Sequence, residues 1–139
     1  MSDLVLDSSA LVYALTLTTP QAYELRTRIN SSICHAPHLV DAEVGNVLRR
    51  QEMAGRITST VAWTALRALE HLVDHRYPHS GALAQAAWKL RPAVTFYDAL
   101  YVALASTLGT PLITCDARLA RAPGLTCVID VVGEQHRPS

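Results

Sequence analysis

Apolar residues along this chain recur in two rhythms, broken by short polar punctuation. Strand-like runs of a few residues occur at 3–6 ("DLVL"), at 32–37 ("SICHAP"), and more weakly in "VDHRYP", "PLIT" and "TCVID". Helical spacing fills the intervals. "SSALVYALT" begins one helix, Thr19-Pro20 opens another through about Ile29, and Val40, Val44, Val47 and Leu48 mark a third from Leu39 to Met53, closed by Gly55. Thr58 opens a fourth, with Val61, Ala65, Leu66, Leu69 and Leu72 along one face; "SGALAQAAWKLR" makes a fifth, stopped before Pro92. A sixth begins near Phe96, and "DARLARA" is a short seventh. Strands alternating with helices predict an α/β fold: a parallel sheet covered on both faces. At 139 residues, 50% of them hydrophobic and without repeats, the chain is expected to be a single domain over 1–139.

The sixth helix poses the chemical question. From Phe96 to Ala105 every residue is apolar except Asp98. A helix apolar on nearly all sides is expected to be buried, and a buried carboxylate is costly unless a charge or hydrogen bond meets it. Three further acids stand out. Asp7 ends the first strand and Asp116 follows the fourth, so in a parallel sheet both emerge on one rim. Glu43, three residues from Val40 and four from Val47, shares an apolar stripe, whereas Asp41 and Glu52 look outward. Glu43 and Asp98 lie near the starts of helices that begin at that same rim, where open α/β sheets collect ligands. Four carboxylates in one cleft repel unless a cation neutralises them. Oxygen donors without a partnering His or Cys select Mg²⁺ or Mn²⁺ over zinc. Capping is the competing explanation: Asp7 and Asp116 as helix N-caps, and "TFYD" as a capping box. Caps explain neither Glu43 in its stripe nor Asp98 as the sole charge of its helix.

Charge and cysteine content narrow the field. Twelve basic residues balance twelve acidic ones, so no global positive field marks a nucleic-acid binder. Lys89 is the only lysine, and the rest of the basic set is arginine, the better fork for phosphate. Cys34, Cys115 and Cys127 lack metal-ligand spacing and read as small buried residues of a cytoplasmic chain. No apolar run approaches the roughly 20 residues of a membrane span, and Asp7 interrupts the first one too early for a signal peptide.

The ordered set "LVLDSSALV", "EVGNVLRR", "TFYDALYVALA" and "LITCDARL" closely resembles PIN-domain ribonucleases, and within them the toxins of VapBC toxin–antitoxin modules. The resemblance runs from about Leu4 to Val131. It implies a PIN-like three-layer sandwich with a five-stranded parallel sheet. It also implies a metal-dependent endoribonuclease whose acids are Asp7, Glu43, Asp98 and Asp116. The family's neighbouring hydroxyls match at Ser9 and Thr114. The implied partners are an RNA substrate, a cognate antitoxin covering the acidic cleft, and a second copy in a homodimer.

A Mg²⁺-dependent reaction of this kind activates water instead of the RNA 2′-hydroxyl, so products are expected to carry 5′-phosphate and 3′-hydroxyl ends. Asp7, Asp98 and Asp116 are the expected direct ligands, with Glu43 binding directly or through water. Ser9, Asn46 and Thr114 are candidate supporting donors. Arg49, Arg50 and Arg56 are candidate phosphate contacts, against the alternative of a solvated helix face. His71 and His75 have metal-like spacing but read as a surface connection. Trp63, Trp88, Tyr97 and Tyr101 read as core or dimer contacts instead of base-stacking platforms. An aspartyl-phosphate phosphatase needs an acid where Ser9 stands, and a phospho-receiver domain needs a lysine later than Lys89. The remaining alternative is a module that uses metal to grip RNA without cutting it. With no net charge, selectivity is expected to rest on RNA shape or loop sequence.

Overall fold

A computed structural model of the chain, describing residues 1–133, places twelve elements in the alternating order expected. They are β1 (Ser2–Leu6), α1 (Ser8–Thr16), α2 (Pro20–Asn30), β2 (Ser32–Pro37), α3 (Leu39–Met53), α4 (Ser59–Leu72), β3 (His75–Tyr77), α5 (Ala82–Trp88), α6 (Phe96–Leu108), β4 (Leu112–Thr114), α7 (Ala117–Ala120) and β5 (Ile129–Val131). The last six residues of the expected domain lie outside the described ones. Local chemistry sets many of the boundaries. Thr19, Thr58 and Thr95 cap α2, α4 and α6 by accepting backbone N–H bonds, and Pro20 occupies the first turn of α2. Gly109, at φ 64°, ends α6 in the left-handed conformation that costs glycine least.

All five strands pair in parallel, in the order β3-β2-β1-β4-β5. Leu4 lies beside Cys34, and Leu6 beside Ile113. Leu4, Val5 and Leu6 are all buried, so both faces of the central strand are covered. Helices α1 to α4 pack on one another, and α5 pairs with α6 across β1 and β2. Burying each such aliphatic side chain contributes roughly 1.5–3 kcal/mol, which concentrates stability at β1, β4 and the middle of α6.

A histidine ties the strands at one edge. His35 Nε2 stands 2.8 Å from Asp3 Oδ1, and its Nδ1 stands 2.7 Å from the Tyr77 hydroxyl. The Asp3 carboxylate only accepts, so Nε2 donates to it, and the Tyr77 hydroxyl bonds the other ring nitrogen. One side chain thereby links β1, β2 and β3.

Several expectations need correction. His75 lies not in a loop but in the strand expected at "VDHRYP": α4 stops at Leu72, and the exposed His75 opens β3 and stacks on His35 with ring centroids 5.2 Å apart. The fifth strand starts at Ile129, later than "TCVID" implied, and the fifth helix ends at Trp88. Cys34 is buried, its thiol pushed up to about 11 by desolvation and the nearby Asp74 charge, but Cys115 and Cys127 are half-buried. Trp63, Trp88 and Tyr97 are exposed, so the monomer core covers none of them; Tyr101 is buried. Among the described residues no helix is long and apolar enough to cross a membrane.

Candidate active site

Strand order reverses between β1 and β4, and there the carboxyl ends of two adjacent strands open a crevice. Asp7 leaves β1 and Asp116 leaves β4 on this rim. Each is also the N-cap of the helix that follows, so the capping and cleft readings hold together. Asp7 accepts the Ala10 N–H at 3.0 Å and the Ser9 hydroxyl at 2.6 Å. Asp116 accepts the Arg118 N–H at 2.9 Å.

Ser9 and Thr114 stitch the two strand ends together. Ser9 Oγ gives its hydrogen to Asp7 and accepts the Cys115 N–H at 2.9 Å; Thr114 Oγ1 accepts the Asp116 N–H at 3.0 Å. The Thr114 hydroxyl lies 3.3 Å from that of Ser9, and like Ser9 it opposes the rise of the Asp7 pKa by a hydrogen bond. Thr114 is fully buried. Both hydroxyls lie against the Asp7 carboxylate.

Glu43 and Asp98 complete the cluster from two helices. The buried Tyr101 of α6 donates its hydroxyl to Glu43 Oε1 of α3 at 2.5 Å. Thr95 accepts the Asp98 N–H at 3.2 Å, the forward half of the expected capping box. The middle of α6 is buried, but its first turn is not, and Asp98 stands half-exposed at the crevice mouth. A cavity of about 280 Å³ separates Asp98 from Asp116, walled by residues 93–95 and Leu119. Another cavity, about 350 Å³, between Tyr77, Leu83 and Leu104, is apolar and is lined by no carboxylate.

Electrostatics bind the four acids into one unit. Burial raises the Asp7 carboxyl above its usual range against the hydrogen bonds of Ser9, Thr114 and Ala10, and the Asp98 charge adds to the rise. Burial likewise raises Glu43; Tyr101 opposes this, and the charges of Asp98 and Asp7 reinforce it. Asp98 is raised by burial and then by the Asp116 charge, against Thr95 and Arg118. Burial pushes Asp116 the same way, but the hydrogen bonds and charge of Arg118, with Arg121, prevail and hold it below its ordinary value.

The donor chemistry fits a hard divalent cation: four carboxylates, each raised or repelled by another, with hydroxyls fixing their orientation. The side chains as placed stop short of a cage. Among the described residues no three of His, Cys, Asp and Glu already surround an ion position. Asp116 is turned toward Arg118, whose Nε lies 3.2 Å from Oδ1 and whose side chain is 84% exposed. Solvent screens so exposed a pair, so a cation competes readily for Asp116.

The other expected residues lie farther along α3 and beyond its end. Asn46 is exposed one turn from Glu43, and Arg49 and Arg50 stand about 9–10 Å along the axis from Glu43. Arg56 is exposed beyond the end of α3, and among the described residues none of these three arginines is ion-paired. Sequence reasoning missed Tyr101 and Arg118 as members of the site. Tyr101 was legible by spacing, three residues after Asp98 and so on the same helix face. Arg118 carried no comparable signal.

Comparison with known proteins follows this geometry. The PIN domain family model matches residues 4–125. The chain is 52% identical over 132 residues to Ribonuclease VapC1 of Mycobacterium tuberculosis, covering 95% of this chain and 99% of that protein. It is 41% identical over 118 residues to Ribonuclease VapC3 of the same organism, covering 85% of each. Among solved structures it resembles PAE2754 from Pyrobaculum aerophilum at TM-score 0.68 and 27% identity, covering 94% of this chain and 84% of that one. VapBC2 from Rickettsia felis, bound to a DNA fragment from its promoter, matches at TM-score 0.68 and 14% identity over 93% of this chain and 98% of that one, a likeness of fold alone.

Proposed function

The chain belongs to the PIN-domain family, among the VapC ribonucleases, and from that membership we propose that it is a Mg²⁺-dependent endoribonuclease, with Mn²⁺ able to substitute, acting as the toxin of a toxin–antitoxin pair. The observation that carries the reading is the gathering of Asp7, Glu43 and Asp98 at the crevice where strand order reverses, each raised by burial and then by a neighbouring carboxylate, with Asp116 across the cavity.

Asp7, Asp98 and Asp116 would hold the cation, and Glu43 would ligate it or orient the attacking water. When bound, such a cation activates water near neutral pH and neutralises charge on phosphate oxygens. The chain's own contribution is positional. Ser9 and Thr114 lock the Asp7 carboxylate between β1 and β4. Tyr101 fixes Glu43 while remaining protonated, because burial and the Glu43 hydrogen bond raise its hydroxyl pKa. Arg118, beside Asp116 and exposed, is free to turn to an RNA phosphate once a cation takes its place.

A cognate antitoxin that brings a basic side chain into the cleft would take over the same carboxylates, and a homodimer is proposed from family membership. The antitoxin partner is likewise proposed from membership among the VapC ribonucleases. The test is cleavage of total cellular RNA by wild type and Asp98→Asn, with Mg²⁺ and with chelator. Discrete metal-dependent products with 5′-phosphate and 3′-hydroxyl ends, lost in the variant, are expected. A 2′,3′-cyclic phosphate would overturn the water mechanism. A folded protein that binds RNA but never cuts it would leave a binding module.

A further inference from the structure

The acids line only one part of the cavity that separates Asp98 from Asp116. Apart from Thr95 and Arg118, the rest of its lining is apolar: Ala93 and Val94 from the turn before α6, Leu119 of α7, and Ala122 just after it. Both segments are braced. The Ala93 and Val94 N–H groups donate to the Leu90 carbonyl at 3.0 and 3.2 Å, and the Ala122 N–H donates to the Leu119 carbonyl at 3.2 Å. Val94 and Leu119 also pack on the hydrophobic core. Thr95 is committed to Asp98: it accepts the Asp98 N–H at 3.2 Å, and its hydroxyl opposes the rise of the carboxyl pKa. Arg118 is the one basic side chain of the lining and lies 3.2 Å from Asp116.

Three chemistries thus meet in one space: two carboxylates that call for a cation, an arginine, and an apolar surface. A cation or a free phosphate satisfies the charges and leaves the apolar surface wet. A basic side chain from a partner protein meets the acids but is repelled by Arg118. A nucleotide satisfies all three: its phosphate meets the cation and Arg118, and its flat base covers the apolar surface. At about 280 Å³ the cavity falls just under the roughly 300–1,000 Å³ of small-molecule pockets, which suits one nucleoside and not a stacked pair. The base that enters must leave its stack, as bases of single strands and loops do.

We propose that Ala93, Val94, Leu119 and Ala122 form a base-binding subsite, in which one unpaired nucleotide of the RNA lodges with its phosphate toward Asp98, Asp116 and Arg118. The inference rests on the ribonuclease reading and deepens it: with Thr95 committed to Asp98, the apolar lining offers no side-chain donor or acceptor to the base edge, and the site grips the base by its faces.

The test titrates the full chain, at saturating Mg²⁺ and by calorimetry, with AMP and with ribose 5-phosphate, which carries the same phosphate and no base. AMP should bind at least about 5-fold more tightly, the lower end of what one stacked base contributes. Ala122→Leu fills the cavity and should abolish that preference while leaving Mg²⁺ and ribose 5-phosphate binding as in wild type. Ala93→Leu fills it from the other segment and should do the same, whereas Arg118→Ala should weaken both ligands by one common factor. On RNA, Ala122→Leu should raise KM more than it lowers kcat. Equal or undetectable binding of the two ligands by wild type, or a preference that survives in both folded leucine variants, would overturn the subsite. So would an effect of the leucine variants confined to a protein partner. RNA cut equally well by wild type and both leucine variants refutes the subsite alone. An AMP preference lost in those variants, in a protein that never cuts RNA, refutes the nuclease reading alone.

Discussion

Replacing Tyr101 by phenylalanine removes one oxygen from a side chain only 2% exposed, and with it the sole described side-chain hydrogen bond to Glu43. A hydrogen bond to a charged group contributes about 1.5–3 kcal/mol, and one between neutral groups about 0.5–1.5 kcal/mol. Glu43 is half-exposed, so water replaces part of the loss and the lower ends apply. The expected cost is about 1.5 kcal/mol with Glu43 ionised and about 0.5 kcal/mol with it protonated. At about 4 °C per kcal/mol for a domain of this size, Tm falls by about 6 °C and about 2 °C respectively.

The sign follows from linkage. The bond favours the ionised carboxylate and so lowers the folded pKa of Glu43, although burial keeps the net value above its ordinary 4.5. Its extra stabilisation is present above that folded pKa and is lost as pH falls through it. Urea unfolding of chelated wild type and Tyr101→Phe, followed from about pH 8 to about pH 4, should show the gap between them narrowing above pH 4.5. In a Glu43→Gln background the pH dependence should vanish. An equal gap at every pH would refute the argument, because the hydroxyl would then stabilise packing without sensing the carboxylate.

Three further predictions concern the charges. Burial and the Asp116 charge raise Asp98 above 3.8, so its ionisation weighs against the fold above that pH; Asp98→Asn should raise the Tm of chelated protein at neutral pH by a few degrees and not near pH 3.8. Adding Mg²⁺ should then raise the wild-type Tm more than that of the variant, and equal responses would remove Asp98 from the ligand set. Arg118→Ala frees Asp116 and should tighten Mn²⁺ binding about 2- to 5-fold by calorimetry; weaker binding would mean that Arg118 organises the carboxylate for the cation. If Arg49, Arg50 and Arg56 track RNA phosphates, each alanine substitution should lower the slope of log affinity against log salt by about 0.7, and an unchanged slope would return them to a solvated helix face.

Much of the site was legible because its determinants are local. Helical and strand periodicity depend on neighbours a few residues apart, and parallel strands put their carboxyl ends on one edge, so Asp7 and Asp116 could be placed together before any packing was known. Ser9 and Thr114, each two residues from an acid, were matched through the family resemblance. Periodicity tells which face of a helix a residue occupies, not what lies against that face. Hence Trp63, Trp88 and Tyr97 carried an apolar signature that the monomer leaves exposed, and Tyr101 carried the same signature but meets Glu43, 58 positions away. The reversal of strand order beside β1, the cavity between Asp98 and Asp116, and the turn of Asp116 toward Arg118 belong to tertiary structure. Each depends on contacts between distant segments, and on how burial and neighbouring charge divide the protons among carboxylates that look alike in the sequence.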